Sequence, residues 1–457
     1  MRSRKDVSPD RGTGLAHAGK ARPRVWVALL RKECRELVCS RAWWLLLVLT
    51  GPLVGLTFIS GVNAFSEVSA GAGTGCGAVC APLLGVWGPT FSAYEIAAIF
   101  LLPFVAIRLV SGDRQSGALK LELQRPMPAF ARVAAKMVAL VGGWLITSTA
   151  ALVAIALWKG YGGGIYWPEI GVVVLGHLLN AGLTIGVAIA VASMTNHPST
   201  AAIITLAITI GTWVIDFAAA IQGGIWTTLA RYTPATVVAL FQHGLVQVNA
   251  LLIVVAIIVV SLAIGAVWTQ IGASVRHRGW QTAGAVWVAA LAITACAFVP
   301  GSWDASESRM NSFDEPDQEA LEQLQAPVVI DVHLAPQDPR RMQFERSALA
   351  KLRRVVPHLA VRYVARTSSG LYEQSDPGYG EIVYTVAGRQ AATRMVTDEG
   401  AVETILALAR ITPAVETDSP YGGHPFVGRA AGAPLVFYGI WPVLIGGAGV
   451  WFLRRRV

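Results

Sequence analysis

Eight stretches of about 20 mostly apolar residues recur along the 457-residue chain, and no other feature restricts its fold as much. They fall at Ala42–Gly61, Phe91–Val110, Val133–Leu157, Ile170–Met194, Thr200–Ile221, Ala250–Trp268, Thr282–Val299 and Pro434–Leu453. At about 1.5 Å rise per residue, each is long enough to cross a hydrocarbon core about 30 Å thick. A helix satisfies its own backbone polar groups, as lipid requires. Charged residues make up 14% of the chain, against about 25% in an ordinary soluble domain. Trp43, Trp44, Trp158, Trp268, Trp280 and Trp441 sit at or near the ends of apolar runs, where interfacial aromatics gather. The expectation is an all-α polytopic membrane protein.

The net charge of +9 raises the question of nucleic acid, but its distribution answers it. Residues 300–433 hold 13 Lys+Arg against 18 Asp+Glu, a net of −5, so the remaining chain carries +14. Basic charge beside apolar spans is the mark of membrane orientation and anionic headgroups, so membrane lipid is an expected partner and nucleic acid is not. With the N-terminus placed in the cytoplasm, the inward segments hold 22 Lys+Arg and the short outward loops hold only Lys159 and Arg231. That asymmetry predicts both termini inside the cell, with residues 300–433 extracytoplasmic. Residues 1–23 are polar, without the apolar core of a signal peptide; they are read as a disordered tail, and the first span as an uncleaved anchor.

Between Arg24 and Arg41, Trp26, Leu29, Leu30, Leu37 and Val38 recur at helical spacing, with Arg31, Lys32, Arg35 and Glu36 on the other side. This predicts an amphipathic helix on the inner membrane surface, with Trp26, Leu30, Arg31 and Leu37 as its marking residues. The second inward loop reads DRQSGALKLELQRPMPAFARVAAK from Asp113 to Lys136. Its Ala, Leu, Lys, Glu and Gln content favours a short helix over Gly117–Gln124, and Pro126 and Pro128 break it. A partner that moved such a helix would tilt the second and third spans together.

This loop resembles the one between the second and third spans of type-2 ABC transporter permeases. The matching positions are Asp113, Arg114, Ser116, Gly117, Leu119, Leu121, Leu123, Arg125, Pro126 and Lys136, with Ala118 and Ala135 departing from the usual Thr and Gly. The resemblance extends over about residues 24–270. It implies a six-span ABC exporter permease core over 42–270, a coupling helix seated on a cytoplasmic ABC ATPase subunit, and a second permease copy in a homo- or heterodimer. ATP and Mg would then act through the partner, with none bound directly and no enzyme activity in this chain. Gly14–Ala21 (GLAHAGKA) has phosphate-loop spacing but ends in Ala and follows no strand, so it reads as chance.

Within the apolar runs, Glu95 and Asp216 are candidates for a substrate pathway, with interfacial solvation the competing reading. His177 and Asn180 lie inside the fourth run, where Asn180 suits interhelical hydrogen bonding. Cys76 and Cys80 either pair in an oxidising compartment or remain two small loop residues. The place of Gln222–Asn249 corresponds to short re-entrant helices in the resembled family, which implies a lid.

The seventh span (281–299) and the eighth (434–457 with its basic tail) flank the acidic segment. Val328–Leu334, Leu359–Ala365, Glu381–Val386 and Ala391–Val396 read as strands, and Arg341–Val356 and Asp398–Ile411 as helices, giving a small α/β domain. Its position resembles the extracytoplasmic domain of gliding-motility-type ABC accessory proteins, here fused behind the permease half. Asp331, His333 and Asp338 cluster near the first strand's end, where strand-edge polar residues are the simpler reading. No metal-ligand spacing and no nucleophile motif is visible. The expected function is export driven by a separate ATPase. A mechanical anchor without flux would share the loop, and an ion-coupled secondary transporter would need charge near the midplane.

Overall fold

The computed structural model describes residues 15–72, 77–117, 127–222, 225–270, 272–335, 338–364, 378–413 and 421–455. The chain is 72% helical, and eight of its described helices are long and apolar enough to cross a membrane, which makes it a multi-pass membrane protein. The spans run Arg41–Gly71, Leu83–Gln115, Ala129–Gly160, Trp167–Met194, Pro198–Ala219, Val248–Trp268, Val275–Ala297 and Leu435–Arg454. Most extend beyond the apolar runs that announce them. In the second, Pro89 and Pro103 each stand in the first turn of a helical segment, where the missing N–H is not needed, so neither ends the span. The seventh starts at Val275 because Ser274 Oγ accepts the His277 N–H and draws Arg276, His277 and Arg278 into its first turn.

The fourth span is the centre of the bundle, with 72% of its apolar window buried, and it packs against the second, third, fifth and sixth. Its Val173, Ala181, Ile185, Ala188 and Ala192 are enclosed on more than one side. The seventh span, 6% buried, touches the bundle through the sixth, and the eighth lies on the first. Gly51 and Gly55 make that second contact: Trp441 and Phe437 occupy the space a Cβ would need, and Trp441 Nε1 donates to the Leu47 carbonyl at 3.0 Å.

One end of the bundle gathers the leading helix, Leu15–Val38, and the basic residues Arg114, Lys136, Arg278 and Arg454; we call it the basic end. The leading helix begins at Leu15, ahead of the Arg24 start expected, so residues 15–23 are helical rather than an unstructured tail. The opposite, domain end carries two short helices between spans five and six, Ile225–Ala230 and Pro234–Gln242. There strand β1 (Leu245–Gln247) pairs antiparallel with β2 (Ser302–Asp304), tying the entry of span six to the exit of span seven.

Beyond β2 stands the small α/β unit. Strands β3 (Val328–Val332), β4 (Leu359–Tyr363), β5 (Ile382–Val386) and β6 (Arg389–Thr393) form a sheet in the order β4-β3-β5-β6, with only β3 and β4 parallel. Val328, Ile330, Val332, Ile382, Tyr384 and Val386 alternate onto one face, against Leu321, Phe344, Leu352, Val402 and Ile405 from the helices. The β5–β6 hairpin is tighter than expected. Ala387 and Gly388 both have positive φ (51° and 78°), so a two-residue turn brings β6 forward to Arg389.

Candidate functional site

The leading helix turns Leu29, Glu33 and Leu37 into the bundle at successive four-residue steps, while Trp26 and Leu30 are half-buried and Arg31 stays exposed. Glu33 is thereby a fully buried carboxylate in an apolar stripe. An isolated charge there would cost several kcal/mol or more, so the fold must supply a partner.

It supplies two lysines. Lys136 Nζ, from the second turn of span three, donates to Glu33 Oε1 and Oε2 at 2.9 and 2.8 Å and also to Asp113 Oδ2 at the end of span two. Lys32 Nζ reaches Asp113 Oδ1 at 2.9 Å, Glu36 Oε1 at 3.2 Å and Glu33 Oε1 at 3.4 Å. Five charges from three elements thus alternate in sign. Lys32 and Glu36, expected on the solvated side of the helix, instead face this network half-buried. Burial pushes the Glu33 carboxyl above the ordinary carboxylate range, with Lys136 pulling the other way. Glu36 is raised by burial and then by the neighbouring Asp113. With two ammonium groups against three carboxylates the cluster has formal charge −1.

The roots of the 116–128 loop are held by the same cluster. Arg114, one residue beyond Asp113, donates through Nη1 to the Thr195 carbonyl at 2.8 Å and through Nη2 to the Ser193 carbonyl, anchoring span two on the end of span four. Span two stops at Gln115; Ser116 Oγ returns to the Gly112 carbonyl at 2.8 Å, and Gly117 takes a left-handed φ of 74° that ends the helix. Across the loop, Arg132 Nη1 donates to the Met127 carbonyl at 2.8 Å. Leu119, Leu121, Leu123, Arg125 and Pro126 lie outside the described residues.

The Glu33, Glu36 and Asp113 oxygens lie within 4.8 Å of one another, which alone would suit a cation. Lys136 and Lys32 already provide the positive charge, so the geometry fits an ion-pair clasp rather than a metal centre. A cavity of about 20 Å³ beside it, lined by Asp113, Arg114, Arg132, Lys136, Ser193 and Thr269, has room for about one water.

The other expected residues occupy the domain end. Asp216 Oδ1 accepts from Thr233 Oγ1 at 2.6 Å and from Thr236 Oγ1 at 3.4 Å, which pins the short helix Pro234–Gln242 to span five. Its Oδ2 is buried without a hydrogen bond among the described residues. His177 stacks on Phe91 at 5.6 Å and meets Gln242 Nε2 at 3.2 Å. Cys80 is disulfide-bonded, whereas Cys34 and Cys296 are free; Cys76 lies outside the described residues. In the sheet unit Asp338 accepts from Arg340 and from Tyr379 Oη at the start of a helix, and Asp331, His333 and Asp338 do not form a ligand set among the described residues.

Glu33 was the residue sequence reasoning missed. Its signal was present: it stands four residues from both Leu29 and Leu37, in the middle of the inward stripe. The sequence matches no protein-family model and no curated protein at a significant level.

Proposed function

We propose that the chain is the membrane-spanning subunit of an ATP-driven transporter of the type-2 ABC permease kind, exporting a substrate on energy released by a separate ATPase. The observation that carries this reading is the clasp. Glu33, Asp113 and Lys136 join the leading helix to both roots of the loop that resembles a coupling helix. A force on that loop therefore acts on spans two and three and on the leading helix as one body, and Arg114 passes it to the central span four. A loop meant only to connect two spans needs no such fastening.

In this reading the basic end faces the cytoplasm of a cell with an inner membrane, residues 300–433 lie outside it, and the ATPase sits under residues 116–126. The ATPase holds ATP and Mg; this chain contributes the lever. Two permease units, identical or not, enclose the route, and the sheet unit acts as a fused accessory domain. Glu95 and Asp216 flank the domain end of that route.

The test starts from the chain purified from its native membrane with whatever it retains. An ATPase is expected to co-purify and to turn over ATP faster with the permease than alone. Replacing Leu121 and Leu123 with Asp is expected to abolish that stimulation while the protein still inserts. Full stimulation in the double variant, or no ATPase partner at all, rejects the proposal.

A further inference from the structure

Residues 421–432 lead into span eight without helix or strand, and Ala433 opens the helix. Such a stretch must satisfy its backbone groups from outside itself. Its partners here come from spans one and three and the segment leading into span two. Ser66 Oγ donates to the Val427 carbonyl at 3.0 Å, and the Ala430 N–H to Asn63 Oδ1 at 3.3 Å, both on span one. The His424 N–H donates to the Cys80 carbonyl at 2.9 Å, just before span two. Tyr161 Oη, following span three, donates to the Ala431 carbonyl at 2.6 Å. Phe426 is buried with its ring 4.6 Å from Trp158, which in turn packs edge-on against Phe65 of span one and Trp87 of span two.

The segment is also tied to the other connector of the sheet unit. His424 Nε2 lies 2.9 Å from Glu307 Oε2, and Tyr421 Oη donates to the same oxygen at 3.4 Å. The Glu307 N–H is held by the buried Glu169 carboxylate, at 2.6 Å, at the start of span four. Both connectors of the sheet unit therefore meet on the bundle at one point.

We infer that residues 421–432 are a strap that fastens the ends of spans one, two and three together, and that the sheet unit controls it through Glu307. Spans one and three cannot part at the domain end without breaking these hydrogen bonds and withdrawing Phe426 from Trp158. A partner or load on the sheet unit would tighten or lift the strap. This goes beyond the ATPase reading and does not depend on it, because its test uses no nucleotide.

The experiment is hydrogen exchange by mass spectrometry on the full chain in lipid nanodiscs, comparing residues 58–68 and 155–163 with the basic-end residues 41–50 and 136–146. Phe426→Ala is expected to speed exchange at the domain-end segments by at least about tenfold and leave the basic end unchanged. Phe426→Leu should restore most of the protection. Ser66→Ala, a milder change that removes one hydrogen bond, should act in the same direction at the same place. Glu307→Gln, which leaves Phe426 seated, should also raise domain-end exchange if the sheet unit governs the strap. Unchanged domain-end exchange in Phe426→Ala, or an equal rise at both ends in both Phe426→Ala and Ser66→Ala, overturns the strap. Unchanged exchange in Glu307→Gln overturns its control by the sheet unit.

Discussion

A lysine ammonium 8% exposed at the edge of a membrane span persists only if counter-charge and hydrogen bonds replace its water. Lys136 obtains both from Glu33 and Asp113, so truncating it leaves two buried carboxylates with Lys32 as their remaining cation. Lys136→Met is expected to destabilise the protein by about 3–5 kcal/mol. Adding Glu33→Met should recover part of that loss, because it removes one of the stranded charges. Thermal unfolding in nanodiscs checks both, and a single variant as stable as the parent would show that the clasp contributes nothing. Asp338 gives a pH prediction. Hydrogen bonds from Arg340, foremost, with Tyr379 also donating, hold its carboxyl down at about 2 against an ordinary 3.8. A depressed folded value means the stabilisation is present above the unfolded value and disappears as pH falls through the folded one. The stability gap between the parent and Asp338→Asn should therefore be constant above about pH 5 and shrink between about pH 4 and pH 2. A gap that does not change with pH would assign the effect to shape alone. Asp113 and Lys136 were legible as loop residues and Glu33 by its place in the inward stripe, but their pairing was not, since nothing local shows which carboxylate a lysine will meet 103 positions away.

At the scale of elements, length and hydropathy located every span, while their ends depended on details that hydropathy averages out. The cap at Ser274 lengthened span seven beyond its apolar run, and the first-turn prolines at positions 89 and 103 left span two unbroken. The four strands of the sheet unit were readable from alternation, and β6 moved because the turn at Ala387–Gly388 takes only two residues. The contact of span eight with span one was not readable, because small residues are common in any membrane helix and only the partner shows which face is used. Gly51→Val tests it. The added side chain would have to displace Trp441, whose ring atoms lie as near as 2.1 Å from the Cβ position. The expected loss is about 1–3 kcal/mol, with the Trp441 indole more accessible to collisional quenchers. Unaltered stability and quenching would mean that the two spans do not meet there.

Across the whole molecule the basic and domain ends have different chemistry. One collects arginine and lysine beside an ion-pair clasp, and the other carries β1–β2, the short helices and the acidic sheet unit. Charge asymmetry of this kind fixes orientation during insertion. In a variant with Cys34, Cys39 and Cys296 replaced by Ser, a membrane-impermeant maleimide applied to intact cells is expected to label Ser312→Cys. It should reach Lys120→Cys only after permeabilisation. Labelling of position 120 in intact cells would invert the topology and remove the basis for an ATPase at that end.

Apolar and charge patterning was enough to locate eight helices able to cross a membrane, the acidic insertion and the local elements which that insertion forms. Those properties follow from solvation and backbone periodicity, which act over one or two turns. Tertiary structure alone decided that Glu33 closes a clasp with Lys136, that span four is the centre and span seven the margin, and that residues 421–432 cross over the ends of three spans. These are choices of partner among chemically equivalent surfaces, and a pattern of apolar and charged residues leaves such choices degenerate until the elements are packed.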